Sequence, residues 1–233
     1  MRCGCFLAAV AATGLGGFAQ ADMIAYWDFN ALLPAPNTPH GIVADQGAGV
    51  ILADGTFGSS NWISSSSNPQ LTSFVGFADN ALPGVAAGTS LGLSNSASGT
   101  NGVGSANGFS VVVKLDLTNW ESVSLSYASR ASGSGFGFSS HTWSVSTDGV
   151  NFTTVQTYTG TNASSVAVRN LGTMAALDHQ ANAFIRLTVD GATASNGHNR
   201  FDNVVVDGVY ATPAPGAVAL IGLSGLLARR RRA

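Results

Sequence analysis

The fold class this sequence predicts is an all-β sandwich, and three observations carry the prediction. No long stretch of residues 22–210 repeats apolar residues at i, i+3, i+4 and i+7, so nothing there reads as an amphipathic helix. Short alternating runs rich in Val, Ile, Thr and aromatic residues take its place, the pattern of half-buried strands. Gly, Ser, Asn and Asp separate the runs, and the chain's 29 glycines supply turns at the frequency that many short antiparallel strands need.

The elements follow in order. Residues 23–30 are aromatic and β-branched, and alternation sets Ile24, Tyr26 and Asp28 on one face and Ala25, Trp27 and Phe29 on the other. A loop with Pro34, Pro36 and Pro39 comes next, then strands at 42–43 and 50–52 around a glycine-rich turn. Residues 58–68 read as a serine-rich loop holding Trp62, and residues 71–77 as a strand. Residues 87–108 read as a long loop with a short strand near 90–93. The pattern then sharpens. Residues 109–117 form a strand, and residues 123–130 alternate with Val123, Leu125 and Tyr127 inward and serines outward. Residues 141–146 alternate again. Asp148 and Gly149 supply the positive φ of a hairpin turn, with 151–158 as the return strand. Strands at 164–169, 183–189 and 200–208 complete the domain.

Residues 1–21 read as a secretory signal peptide. Arg2 charges its start, residues 6–18 are apolar, and Ala19-Gln20-Ala21 fits the small-x-small cleavage rule. Both cysteines, Cys3 and Cys5, fall inside it. The domain therefore has no disulfide and depends on its core, or on a bound ion. Residues 22–210 keep Lys114, Arg130, Arg169, Arg186 and Arg200 against all twelve acids, and five minus twelve leaves a net charge of −7. That balance argues against nucleic acid or an anionic membrane surface as a partner.

After residue 210 the chain changes character. Pro213-Ala214-Pro215 precede an apolar run at 216–228, which Arg229, Arg230, Arg231 and Arg232 follow. As a helix that run spans roughly 20 Å, short of the ~30 Å hydrocarbon core. With the arginines at its end it suits transient retention in a membrane. The tripartite order of residues 211–233 resembles the PEP-CTERM sorting signal of exopolysaccharide-producing Gram-negative bacteria, with Ala214 where that family has Glu. The resemblance implies transient contact with the inner membrane, processing by an exosortase-type enzyme, and a final place at the cell surface or outside. Exopolysaccharide or biofilm would be the setting.

A second resemblance concerns the domain at 22–210. Tyr127-Ala-Ser-Arg130, the Trp143-Ser-Val-Ser-Thr-Asp-Gly-Val-Asn-Phe152 hairpin, Phe184-Ile-Arg-Leu187 and Arg200-Phe-Asp-Asn-Val204 are similar to jelly-roll β-sandwiches of exported bacterial proteins and carbohydrate-binding modules. The resemblance implies a jelly-roll-like antiparallel β-sandwich.

No set of residues points to catalysis. His40, His141, His179 and His198 are isolated along the chain, without the spacing of a zinc site. Glu121 is the single glutamate, beside Trp120 near a turn, whereas glycoside hydrolysis needs paired carboxylates. Two binding expectations remain. Asp28 and Asn30 on the first strand, with Asp202 and Asn203 on the last, present oxygens suited to a structural calcium, which takes roughly six to eight hard ligands. The alternative is that Asp28 and Asp202 bond backbone or Arg200. Trp62 and Trp120 are the rings best placed for exposure and for stacking on a sugar, with plain packing under its loop the favoured reading for Trp62. Trp27 and Trp143 alternate into the core. The expected function is a non-enzymatic exported surface or matrix protein associated with polysaccharide. The alternatives are a carbohydrate-binding module and, behind it, a hydrolase of a surface polymer.

Overall fold

Alternation decides where the core lies. In the computed structural model, which describes residues 21–31, 41–62, 69–77, 88–96, 106–131 and 136–211, thirteen strands form two antiparallel sheets. They are β1 (Asp22–Trp27), β2 (Gly41–Val43), β3 (Gln46–Gly47), β4 (Val50–Leu52), β5 (Leu71–Phe77), β6 (Gly88–Ser94), β7 (Ser110–Leu115) and β8 (Trp120–Ala131). After them come β9 (Ser140–Ser146), β10 (Thr153–Thr159), β11 (Ala167–Thr173), β12 (Ala183–Asp190) and β13 (His198–Tyr210). A single 3-10 turn, Ala175–Leu177, is the one helical piece among the described residues. Nearly all of residues 1–21, and Pro213, Pro215 and Arg229 to Arg232 of the tail, lie outside the described residues. Among the described residues no helix is long and apolar enough to cross a membrane.

The first sheet runs β11-β8-β13-β1-β3, with β6 also paired to β13 and β5 to β6; the second runs β10-β9-β12-β7-β4-β2. The all-β sandwich expected from the alternation is what forms. Val123, Leu125 and Tyr127 of β8 point into the core, opposite Ile185 and Leu187 of β12. Trp27 and Trp143 join them, as their alternation requires. Each large apolar side chain so buried contributes roughly 1.5–3 kcal/mol of transfer free energy.

Strand β1 departs from simple alternation. Its pairing with β13 slips between Met23 and Ala25. The bulge lets Ile24 and Ala25 both enter the core with Trp27 and Phe29, so Ile24 does not share a face with Tyr26. Two further elements differ from the sequence reading. β8 starts at Trp120, so Glu121 lies in a strand just after a turn, and β6 is a full strand from Gly88.

A buried polar chain crosses between the sheets. Asn199 Oδ1 accepts from Phe138 N at 2.8 Å, which fixes Nδ2 toward His141 Nε2 at 3.0 Å. The imidazole proton then sits on Nδ1 and faces Tyr127 Oη at 3.2 Å, and Trp143 Nε1 donates to the same oxygen at 3.1 Å. Burial, and then the charge of Arg169, push the His141 imidazole down to about 3.

β13 positions everything that follows. β8 lines one side of it over most of its length. On the other side β13 pairs first with β6, through His198–Phe201, and then with β1, through Val204 to Gly208. Asp202 and Asn203 sit at the fork between them, and Asn203 takes a φ of 49° where the ladder is interrupted.

Candidate functional site

The outer face of the first sheet carries a cleft at the β5–β6 end. Its volume is about 450 Å³, and Pro69, Thr72, Phe74, Ser94, Ser96, Ser195 and Asn196 line it. Alternation explains the lining. Leu71 of β5 and Leu91 and Leu93 of β6 face the core, which turns Thr72, Phe74 and Ser94 outward. On β13, Asn199 and Phe201 face inward, which turns His198 and Arg200 outward.

Phe74 is the apolar wall of the cleft, and three neighbours fix it. The His198 ring lies parallel to it, with centroids 4.3 Å apart and 8° between planes. The Arg200 guanidinium lies 4.5 Å from its centroid. Gly92 is the third: a Cβ there would fall 2.3 Å from Phe74 Cε2, so only glycine lets the ring lie across β6. Burial, then the Arg200 and Arg130 charges, hold the His198 imidazole below its ordinary value, against a contact with the Asn196 carbonyl that raises it. Such a site presents an aromatic wall with hydroxyl and amide groups, and the Arg200 guanidinium packs on the ring that forms the wall.

No family model matches the chain, and no curated protein matches it. Solved structures do resemble it. The K3 adhesin domain of Lys-gingipain from Porphyromonas gingivalis W83 is 15% identical, with 81% of this chain and 99% of that chain covered and a TM-score of 0.46. The xylan-binding CBM22-1 domain of Paenibacillus barcinonensis Xyn10C is 13% identical over 84% of this chain and 100% of that one, with a TM-score of 0.41. TmCBM61, solved with β-1,4-galactotriose, is 12% identical over 66% and 95%, with a TM-score of 0.38. At these identities and scores the likenesses say nothing about which residues bind a ligand.

The sequence-derived candidates have different fates. Trp62 is 3% exposed; its Nε1 donates to the Ser110 carbonyl at 2.8 Å and its ring meets Phe109 edge-on. It is a core residue and has no face to offer a sugar. Trp120 is half-buried and packs edge-on against Tyr210 at 5.2 Å. It pairs with Tyr210 at one end of the β8–β13 ladder while Arg130 pairs with Arg200 at the other. At ~3.3 Å per residue the two ends are roughly 30 Å apart, so Trp120 does not belong to the cleft. Glu121 stands next to it on the surface, 3.6 Å from His179.

Asp28 lies near enough to Asp202, at the β13 fork, for its charge to act on that carboxyl. Asn30 N donates to Asp28 Oδ1 at 2.9 Å and Asn203 N to Asp202 Oδ1 at 2.8 Å. Asp45, unremarked in the sequence, joins them by accepting from Asp28 N at 2.8 Å. Asn30 Oδ1 accepts from Thr89 N, and Asn203 Oδ1 accepts the Tyr26 hydroxyl. All four expected ligands thus have a protein donor on one side-chain oxygen. Among the described residues no group of three or more His, Cys, Asp or Glu is arranged to hold a metal. Burial, followed by Asp28, raises the Asp202 carboxyl to about 7, against the Asn203 N–H that lowers it. Burial together with Asp28, Asp202 and Asp45 raises the Tyr26 phenol to about 12.

Nothing local in the sequence marks the cleft. Phe74, Arg130, His198 and Arg200 lie on three strands far apart along the chain. The one available signal was a pair of arginines at outward positions in a chain with only 9% charged residues.

Proposed function

We propose that this protein is an exported, non-enzymatic glycan-binding protein, and that the β5–β6–β13 cleft is its sugar site. The observation that carries the reading is the Phe74 wall beside a cleft of about 450 Å³ lined with Thr72, Ser94, Ser96, Ser195 and Asn196. A sugar ring has apolar C–H faces and a polar hydroxyl rim, so it needs this combination of aromatic surface and short polar side chains. The volume lies in the ordinary range for small-ligand sites, roughly 300–1,000 Å³.

In this proposal the carbohydrate-binding reading takes precedence over that of a purely structural surface protein. The jelly-roll likeness of the sandwich belongs to the same proposal. So does the route: a signal peptide at 1–21, exosortase-type recognition of 211–233, and a final place at the surface or in the matrix of a Gram-negative-type bacterium.

The test is a glycan array probed with the full-length protein and with Phe74→Ala. The expected result is binding to at least one polysaccharide class that the variant loses. An array without signal, or binding indifferent to Phe74→Ala, overturns the assignment of the cleft.

A further inference from the structure

The cleft borders the place where this acidic domain concentrates positive charge. Residues 22–210 carry twelve acids and five cationic side chains, and two of those five, Arg130 and Arg200, stand directly opposite each other in the β8–β13 register. Like charges directly opposite destabilise a sheet. The partner of Arg200 on its other side is Gly92 of β6, which brings no charge at all. Among the described residues no carboxylate forms an ion pair with this guanidinium. The nearest outward-facing acid along the strand, Asp202, is engaged at the fork with Asn203 N. Local rules are broken most often at functional or strained sites.

Arg200 is also prepared for a ligand. Phe74 holds the guanidinium in place, and Arg200 Nε is shut off from solvent with no acceptor among the described residues. Burial and the Arg130 charge both act against its cationic form, yet arginine stays protonated at any pH the fold meets. A guanidinium is a planar fork of donors that matches a carboxylate or a sulfate, which can take two parallel hydrogen bonds from it.

We propose that the Phe74 cleft takes an acidic glycan, with Arg200 holding the oxyanion of the sugar, a uronate carboxylate or a sulfate ester. Arg130 adds charge from the neighbouring strand, and Phe74 with the hydroxyls of the cleft holds the ring. This inference rests on the glycan-binding reading. The domain's net charge of −7 does not forbid it. Screening acts over ~8 Å at physiological salt, so remote acids weigh little against a guanidinium in contact with the ligand. A nucleic acid needs a row of phosphate contacts, which two arginines on an acidic domain do not supply.

Calorimetric titration of the full-length protein with four ligands of matched length tests the idea: an oligouronate, a sulfated oligosaccharide, a neutral oligosaccharide and single-stranded DNA. The expected result is tighter binding of one acidic sugar than of the neutral one, and which acid binds identifies the oxyanion. Arg200→Gln is expected to weaken that binding on the order of tenfold and to weaken the neutral sugar far less, with Arg200→Lys intermediate. Because the Arg200–Arg130 repulsion is relieved, Arg200→Gln is expected to melt no lower than the parent. Equal affinity for acidic and neutral sugars, or an Arg200→Gln variant that binds acid normally, overturns this inference and leaves the glycan reading standing. A large fall in melting temperature, or DNA bound as tightly as the acidic sugar, overturns it as well. If no sugar binds at all, both readings fall.

Discussion

Asn199 Nδ2 lies 3.0 Å from His141 Nε2 and joins β13 of one sheet to β9 of the other inside the core. Because His141 is fully buried, its imidazole accepts this bond in the neutral form. Unfolding restores an ordinary imidazole near 6.5, against about 3 in the folded protein. The unfolded chain therefore binds more protons between those values, and this group's contribution is complete above pH 6.5 and is lost as the pH falls. A His141→Phe variant should close on the parent by up to ~1.4 kcal/mol per pH unit below pH 6.5. Urea unfolding at several pH values checks this, and a constant difference would refute it. Asn199→Ala, which strands the Phe138 N–H and removes the sheet-to-sheet bond, should cost about 2–4 kcal/mol near neutrality.

Asp202 has the opposite sign. Its carboxyl is raised from 3.8 to about 7, so the folded state binds more protons between those values and its ionisation destabilises the fold as the pH rises. Asp202→Asn should raise the melting temperature at pH 8 and change it little at pH 4. It should also uncover the His141 slope, which Asp202 opposes in the same window. Calcium at this fork is a proposal with a sharp readout. A bound ion would neutralise the ionised carboxyl, so calcium should raise the melting temperature of the parent at pH 8 and not that of Asp202→Asn. An unchanged parent removes the ion from this site.

Gly92 separates the cleft from the fold. Alanine there places its Cβ 2.3 Å from Phe74 Cε2, and the ring, being the end of a side chain, has to swing off β6. Gly92→Ala should bind glycan as poorly as Phe74→Ala while its stability shifts by no more than about 1 kcal/mol. Full affinity in Gly92→Ala would show that the ring's position across β6 does not matter.

The tail makes a prediction of its own. If residues 211–233 act as the proposed sorting signal, the protein released from cells should lack Arg229, Arg230, Arg231 and Arg232. Intact mass spectrometry measures this directly. Changing Ala214→Glu, the residue of the resembled signal, should increase the processed fraction. A released chain that retains the four arginines contradicts processing at this signal.

Much of the fold was legible because alternation is a local code. Val123, Leu125 and Tyr127 fall on the core side of β8 by their spacing alone, and Asp148 with Gly149 closes the β9–β10 hairpin at a φ of 72°. Asp148 is fastened there by the Val150 and Asn151 N–H groups. The approach of Asp28 to Asp202 was also within reach, because first and last strands that are neighbours align their ends.

The sequence by itself determined the class of the fold, the inward faces of its regular strands, the absence of cysteine from the domain and its net negative charge. It could not show that a bulge turns Ile24 inward, or that the Trp62 indole donates to the Ser110 carbonyl. Only the tertiary structure decided the candidate site. Strand order is a non-local property, set by which edges pair once the core closes. The order β8-β13-β6-β5 alone brings Arg130, Arg200, His198 and Phe74 onto one surface.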